Sequence, residues 1–231
     1  MKEQNFDILI EKMSHCNKCI KLKNKNGKDC SLNNFYKEKM AKKIPSIWTD
    51  WYNRLNSKIM IIGQDWGPYL DMKEFYEKYE KNKTRENYIK IIDEEKSLTK
   101  KMLEKYLTES RGKEVDLGDF FITNAIMCAR KGNYYRSDNV KLKESTLNCM
   151  NYLKEQIDIV KPKIILTLGF YPLLSLANIF NFSIEDTLSK TIDKIDIIKV
   201  SNYIIIPLYH PTAQIVKEKQ LKQYRKIWKY I

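Results

Sequence analysis

Four short, almost wholly apolar runs constrain this chain more than any other feature of its sequence. They lie at residues 58–63, 119–124, 163–169 and 203–208. A short run that is apolar on both faces is typical of a central strand in a parallel sheet, because helices cover both faces of such a sheet. Segments with helical periodicity lie between the runs. The alternation predicts a three-layer α/β/α fold with a central, mostly parallel four-stranded sheet.

The best-defined helical pattern lies between the second and third runs. Leu147, Leu153 and Ile157 fall near one face of this segment. Ser145 is placed to cap the start of the helix, and Pro162 lies just beyond its end. We therefore predict a helix capped by Ser145, with an apolar face that includes Leu147.

The length of the chain and the pattern of its segments favour one domain. The 231 residues contain no internal repeat, so we expect a single domain over residues 1–231. Within it we distinguish a cysteine-containing segment, 1–57, and a region without a recognisable motif at about 70–118. The longest uncharged stretch, 164–184, contains glycine, proline and asparagine, and it predicts a strand followed by a helix rather than a membrane span.

The charge balance points to a polyanionic partner. Lysine and arginine total 42 against 29 acidic residues, which gives a formal net charge of +13. A basic globular chain often binds nucleic acid; the alternative is a surface that is merely rich in lysine. With no apolar signal segment and an odd number of cysteines, we expect a cytoplasmic protein with no membrane partner. We also expect a monomer.

Polar side chains follow three of the four predicted strands. Asp65 comes after the first, Asn124 ends the second, and His210 comes after the fourth. In an open parallel sheet, ligands bind beyond the carboxyl ends of the strands. The sequence therefore predicts that an acid, an amide and an imidazole share one rim.

Four segments, in this order along the chain, resemble the uracil-DNA glycosylase superfamily. GQDWGP (63–68) is similar to the family's water-activating loop, and FFITNAIMCAR (120–130) resembles the strand whose asparagine reads uracil. CMNYLKEQIDIVKPKIILTLG (149–169) resembles the helix and strand of the iron–sulfur branches, and IIIPLYHPT (204–212) resembles the final His-Pro motif. The resemblance covers roughly residues 55–230 and implies one glycosylase-like domain with an insertion at about 70–118.

This resemblance implies a DNA glycosylase that hydrolyses the N-glycosidic bond of uracil, or of a related deaminated base, in base excision repair. Such an enzyme takes the base out of the stack and stabilises an oxocarbenium-like sugar and an anionic base. Asp65 would act on the sugar side and on water, His210 would donate to the base oxygen, and Asn124 would read the base edge. The implied base-binding residues are Gly63, Gln64, Trp66, Phe75 and Tyr76. The implied DNA contacts are Arg130, Lys131, Arg136, Gln214 and Ile215.

The five cysteines fit the same reading. The iron–sulfur branches place four cluster ligands in the order in which Cys16, Cys19, Cys128 and Cys149 occur here. Four thiolates suit a 4Fe–4S cluster or, alternatively, zinc. A third possibility is no metal, with Cys128 and Cys149 as buried core thiols. Cys30 is the spare cysteine and could replace one of the four.

Two other functions compete with the glycosylase. The first motif and the segment after Asn124 differ from those usual in the iron–sulfur branches, which indicates a divergent branch. The chain could therefore be a catalytically inactive, nucleic-acid-binding relative. An unrelated hydrolase or nucleotide-binding enzyme is disfavoured, because no glycine-rich phosphate loop follows the first strand and no G-x-S-x-G motif occurs.

Overall fold

A computed structural model gives the fold. It describes residues 1–23, 26–27, 29–37, 48–67, 69–82, 84–94, 97–130 and 141–231. The helices are α1 Lys2–Ser14, α2 Tyr69–Glu80, α3 Arg85–Glu94, α4 Leu98–Arg111, α5 Leu142–Val160, α6 Phe170–Phe180, α7 Leu188–Lys194 and α8 Lys217–Arg225. The strands are β1 Leu32–Asn33, β2 Ile59–Gly63, β3 Phe121–Asn124, β4 Ala129–Arg130, β5 Ile164–Leu168, β6 Ile198–Val200 and β7 Tyr203–Leu208.

The central sheet confirms the predicted fold class. Its order is β3-β2-β5-β7-β6, and the four predicted strands form its parallel part. A fifth strand, β6, was not predicted; it is an antiparallel edge strand that joins β7 through a turn at Ser201 and Asn202. With three residues, of which Lys199 is exposed, β6 is too short to give a strand signal of its own.

The sheet is covered on both faces. Along β2, Met60 and Ile62 point into one core with residues of α1, α2, α5 and α6, whereas Ile59 and Ile61 point into a second core with α4 and α8. This alternation is what the apolar runs require, since successive strand side chains face opposite sides. Each fully buried isoleucine contributes about 1.5–3 kcal/mol relative to an exposed one. The result is the predicted three-layer arrangement.

The N-terminal segment packs onto the first of these cores. Phe6 and Leu9 of α1 are fully buried, and the ring of Phe6 lies 6.0 Å from that of Phe121 in β3. Lys2 donates to the carbonyl oxygens of Leu55 and Val160 at 2.8 and 3.0 Å. Near the end of α1, Lys12 pairs with Glu155 of α5 at 2.7 Å, so the C-x2-C pair that follows α1 begins close to α5.

Helix α5 corrects two predictions. Its N-cap is Lys141, so Ser145 lies inside the helix, fully buried, and does not cap it. Leu147 is 42% exposed, because the buried face consists of Cys149, Leu153, Ile157 and their neighbours. The predicted apolar face was wrong because Cys149, whose thiol is buried, was not counted as an apolar residue. The helix ends before Pro162, as predicted.

Within the described ranges, no helix is both long and apolar enough to cross a membrane.

Candidate active site

The carboxyl ends of β2 and β3 form the base of the site. Gly63 lies opposite Asn124 in the parallel ladder, and the pairing continues beyond it. The amide of Ala125 donates to the Gly63 carbonyl at 2.8 Å, and that of Ile126 donates to the Gln64 carbonyl at 2.9 Å. The loop after β2 is therefore held along the chain that follows β3.

Asp65 is fixed in this loop by groups from both segments. Its Oδ1 accepts from the backbone N–H of Gly67 at 2.8 Å, and its Oδ2 accepts from Gln64 Nε2 and from Arg130 Nη2, each at 2.9 Å. The Asp65 and Arg130 side chains are only 4% and 12% exposed. Charge-assisted hydrogen bonds of this kind hold a carboxylate in one orientation. The ion pair with Arg130 was not predicted, because no local sequence pattern signals a contact between residues so far apart.

His210 presents a defined nitrogen to the site. The backbone N–H of Thr212 donates to its Nδ1 over 3.3 Å, and the Thr212 hydroxyl lies 2.9 Å from the same nitrogen. Because an amide N–H can only donate, Nδ1 accepts, and the neutral ring carries its proton on Nε2. Burial lowers the pKa of His210 below its ordinary 6.5, and the negative charge of Asp65 offsets this only in part. At neutral pH, His210 is therefore a neutral Nε2–H donor.

The lowered pKa of His210 predicts a pH-dependent stability. The folded state binds fewer protons than the unfolded state below about pH 6.5, so the contribution of His210 is complete above that pH and is lost as the pH falls through the lowered pKa. We expect wild type to lose more stability between about pH 7 and pH 5 than His210→Asn, measured by urea unfolding.

The other histidine is the matched control for this experiment. The side chain of His15 is 74% exposed. The variant His15→Asn removes one exposed imidazole away from the rim, so it shows how much of any change comes from replacing a histidine as such. Equal slopes for wild type and His210→Asn would contradict the burial of a neutral His210.

Asn124 is held against a glycine. The side chain is 8% exposed, and its amide oxygen occupies the space that a Cβ on Gly63 would need. Gly63 is therefore required for space, and not for a left-handed backbone. The amide of the predicted base-reading residue thus lies against the start of the loop that carries Asp65.

This contact makes Gly63→Ala a sensitive test of where Asn124 lies. The added methyl would displace the Asn124 amide, and overpacking of this kind costs about 1–3 kcal/mol of unfolding free energy. In an Asn124→Ala background the obstruction is gone, so Gly63→Ala should cost much less there. Urea unfolding of the two single variants and the double variant measures both costs. Equal costs in the two backgrounds would show that the residues do not touch.

The aromatic residues predicted to contact the base lie in the core beneath this rim. Trp66, Phe75 and Tyr76 are 7%, 6% and 1% exposed and belong to the same buried cluster. The Trp66 ring lies 5.8 Å from that of Trp51, and Phe75 packs edge-on against Tyr76 at 5.9 Å. Their burial neither requires nor excludes a contact with a base, so the stacking role stays a prediction.

The predicted DNA contacts occupy different places. Gln214 is exposed and Ile215 is half-buried in the turns between His210 and α8, beside Val216, which is 77% exposed. Arg130 pairs with Asp65, as described above. Lys131 and Arg136 lie outside the described residues. A phosphate contact therefore stays a prediction for all three basic residues.

The four predicted cysteine ligands come together on one side of the fold. The thiol of Cys149 forms a hydrogen bond with Cys19. This bond raises the pKa of Cys149 and lowers the pKa of Cys19 to about 6. Burial raises the pKa of Cys128, and the charges of Cys19 and Cys16 raise it further. Cys30 belongs to the same buried cluster as Cys19 and Cys128.

Further donors surround these sulfur atoms. Asn148 Nδ2 lies 3.5 Å from the sulfur of Cys19, and the backbone N–H of Met127 donates to that of Cys149 at 3.4 Å. Tyr152 hydrogen-bonds to Cys16. A set of four thiols with N–H···S donors fits the chemistry of a thiolate-bound cluster. As placed, no three histidine, cysteine or acidic side chains of the described ranges form a set of metal ligands.

One comparison with known proteins shows the family of this chain. A family model described as the uracil DNA glycosylase superfamily matches residues 49–231, which is well over half of the chain. The chain belongs to this superfamily, and this membership supports a DNA glycosylase-type hydrolase. The matched range contains Asp65, Asn124 and His210, whereas Cys16 and Cys19 precede it. No curated protein matches the chain.

Proposed function

We propose that this protein excises uracil, or a related deaminated base, from DNA by hydrolysing its N-glycosidic bond. The observation that carries the proposal is that the site holds both a fixed, buried Asp65 carboxylate and a neutral His210 that donates from Nε2. The two groups act on opposite partners of the breaking bond. The negative charge of Asp65 and the N–H donor of His210 suit a transition state with a cationic sugar and an anionic base.

Asp65 would act on the sugar. As the bond between C1′ and the base nitrogen breaks, its electron pair leaves with the base, and positive charge develops on the sugar ring. A carboxylate that is already oriented stabilises this charge without reorganisation and positions a water molecule to attack C1′. The hydroxyl of that water joins C1′, and its proton ends on the departing base. One water molecule is consumed for each base released.

His210 and Asn124 would act on the base. The Nε2–H of His210 would donate to the base oxygen that gains charge, while its Nδ1 stays bonded to Thr212. The Asn124 amide offers both an acceptor and a donor, which match N3–H and O4 of uracil and not the reversed pattern of cytosine. A mismatched edge leaves buried polar groups unpaired, which is a strong basis for rejection.

The remaining predicted residues would hold the DNA and the flipped base. Phe75, Tyr76 or Trp66 would supply the face on which the base stacks. Gln214 and Ile215 would enter the space that the base leaves, because they lie on exposed turns directly after His210. Phosphate contacts by Lys131 and Arg136 would make binding depend strongly on salt concentration.

We further propose that Cys16, Cys19, Cys128 and Cys149 hold a 4Fe–4S cluster. Their convergence and the N–H donors around them support this choice. When bound, the cluster would supply a covalent cross-link between the N-terminal segment, the chain after β3 and helix α5. It would take no part in the hydrolysis.

The variant His210→Leu tests the donor role. Loss of one preorganised donor to a developing anion typically costs about 10²–10³ in rate. We expect His210→Leu to slow single-turnover excision of uracil from an oligonucleotide by that factor, while DNA affinity changes little. The control is His15→Leu, which should retain the wild-type rate. A His210→Leu variant that is folded and fully active would contradict the proposed role.

A further inference from the structure

We propose that Arg130 is a positioning residue for catalysis: it fixes the Asp65 carboxylate and links it to the segment that follows Asn124. The proposal rests on the proposed function of Asp65 at the sugar. It assigns Arg130 a role different from the phosphate contact that the sequence predicts.

Arg130 and Asp65 are in direct contact. Arg130 Nη2 lies 2.9 Å from Asp65 Oδ2, and both side chains are largely withdrawn from solvent. Among the described residues, the other donors to Asp65 are Gln64 and Gly67, which belong to its own loop. Arg130 is the donor that reaches Asp65 from a different segment. It therefore sets the position of the carboxylate relative to the rest of the site.

Arg130 is itself anchored in the fold through its backbone. Its backbone N–H donates to the Gly67 carbonyl at 2.8 Å, and it lies opposite Leu32 in the short β1–β4 ladder. The backbone of Arg130 therefore holds Gly67, and its side chain holds Asp65, on the two sides of the same turn. A displacement of Arg130 would move the carboxylate, and a misplacement of about 1 Å can cost about 100-fold in rate.

Separating Arg130 from Asp65 would cost free energy, because both side chains are largely buried. Removing one partner of such a pair leaves an uncompensated charge in a poorly solvated place, which is strongly unfavourable. Drawing Arg130 away to a DNA phosphate would incur that penalty at Asp65. A guanidinium that is 12% exposed and already bonded is therefore suited to hold Asp65 rather than to bind the DNA backbone.

Two readouts in one experiment separate these roles. We would measure the single-turnover rate at saturating protein, and the Kd for uracil DNA over a series of salt concentrations, for Arg130→Met and Arg130→Lys. Arg225→Met is the control, because it removes an arginine from an exposed ion pair with Glu218. We expect Arg130→Met to lower the rate by about 100-fold, with the salt dependence of Kd unchanged.

Arg130→Lys should recover part of the rate, because it keeps the charge but loses the planar fork of donors. If Arg130→Met does not fold, the single-turnover rate of Arg130→Lys tests the proposal on its own. The proposal is overturned if folded Arg130→Met keeps its rate within about twofold while the slope of log K against log salt falls by about one, as loss of a phosphate contact predicts. If only Arg130→Lys folds, a rate within about twofold of wild type overturns it, because the planar fork would then have no positioning role.

A stability cycle keeps this proposal distinct from the proposed function. Thermal unfolding of Arg130→Lys, Asp65→Asn and the double variant reports the pair without any assay of activity. Coupled residues give non-additive shifts in Tm, whereas additive shifts would overturn the contact itself. If wild type cleaves no DNA but the cycle shows coupling, the glycosylase function fails and the catalytic role of Arg130 fails with it, while the pair stands.

Discussion

Replacing Asp65 with asparagine is expected to slow single-turnover excision of uracil by about 10²–10⁴, the range typical of a lost base or a lost electrostatic stabiliser. The amide keeps the shape of the side chain and can still accept from Gly67. It also leaves the largely buried charge of Arg130 uncompensated, so thermal unfolding must show that the variant is folded before its rate is read. What disappears is the negative charge that would stabilise the cationic sugar. The measurement is the rate at saturating enzyme on a duplex with a single uracil.

The matched control for this variant is Asp158→Asn. Asp158 forms an exposed ion pair with Lys154 near the end of α5, so the substitution removes the same charge far from the rim. Its rate should equal that of wild type. If Asp65→Asn were folded and within about threefold of wild type, Asp65 would have no role in the transition state, since such a loss is far below the expected range.

The second large effect is expected at the cysteines. If Cys19 is a cluster ligand, Cys19→Ser should lose most of the iron that anaerobically purified wild type carries. It should also lower Tm by at least about 5 °C, because the free energy of metal binding contributes to folding. Iron and sulfide per chain, together with thermal unfolding, measure the two effects.

Cys30→Ser is the control for the cluster. Cys30 is buried beside Cys19 and Cys128, so its replacement tests burial without removing one of the four proposed ligands. It should keep its iron. An equal loss of iron in Cys30→Ser would show that the ligand set is wrong, and zinc in place of iron in wild type would show that the cluster is not iron–sulfur.

The parallel sheet and its functional rim could be predicted because both depend on local sequence. A buried strand must be apolar on both faces, and the polar residue that ends the strand must then lie at the edge of the sheet. That reasoning placed Asp65, Asn124 and His210 at the carboxyl ends of their strands, where they are found. The short edge strand β6 gave no such signal, because its three residues owe their conformation to pairing with β7.

Partners that are distant in sequence could not be predicted. Arg130 was expected at a DNA phosphate because it lies in a basic stretch, and its contact with Asp65 joins residues 65 positions apart. Ser145 was expected to cap a helix that begins three residues earlier, at Leu142. The phosphate contact of Arg130 stays a prediction, whereas Ser145 does not cap α5, because that helix begins before it.

Cleavage of a panel of oligonucleotides, each with a single uracil, hypoxanthine or xanthine, tests the central claim most directly. Anaerobically purified wild type should convert at least one of them to an abasic product, detected by strand scission in alkali. The rate should exceed that of Asp65→Asn by about 10² or more. Intact strands throughout, with protein that is folded and bound to the DNA, would contradict the account and identify a catalytically inactive relative.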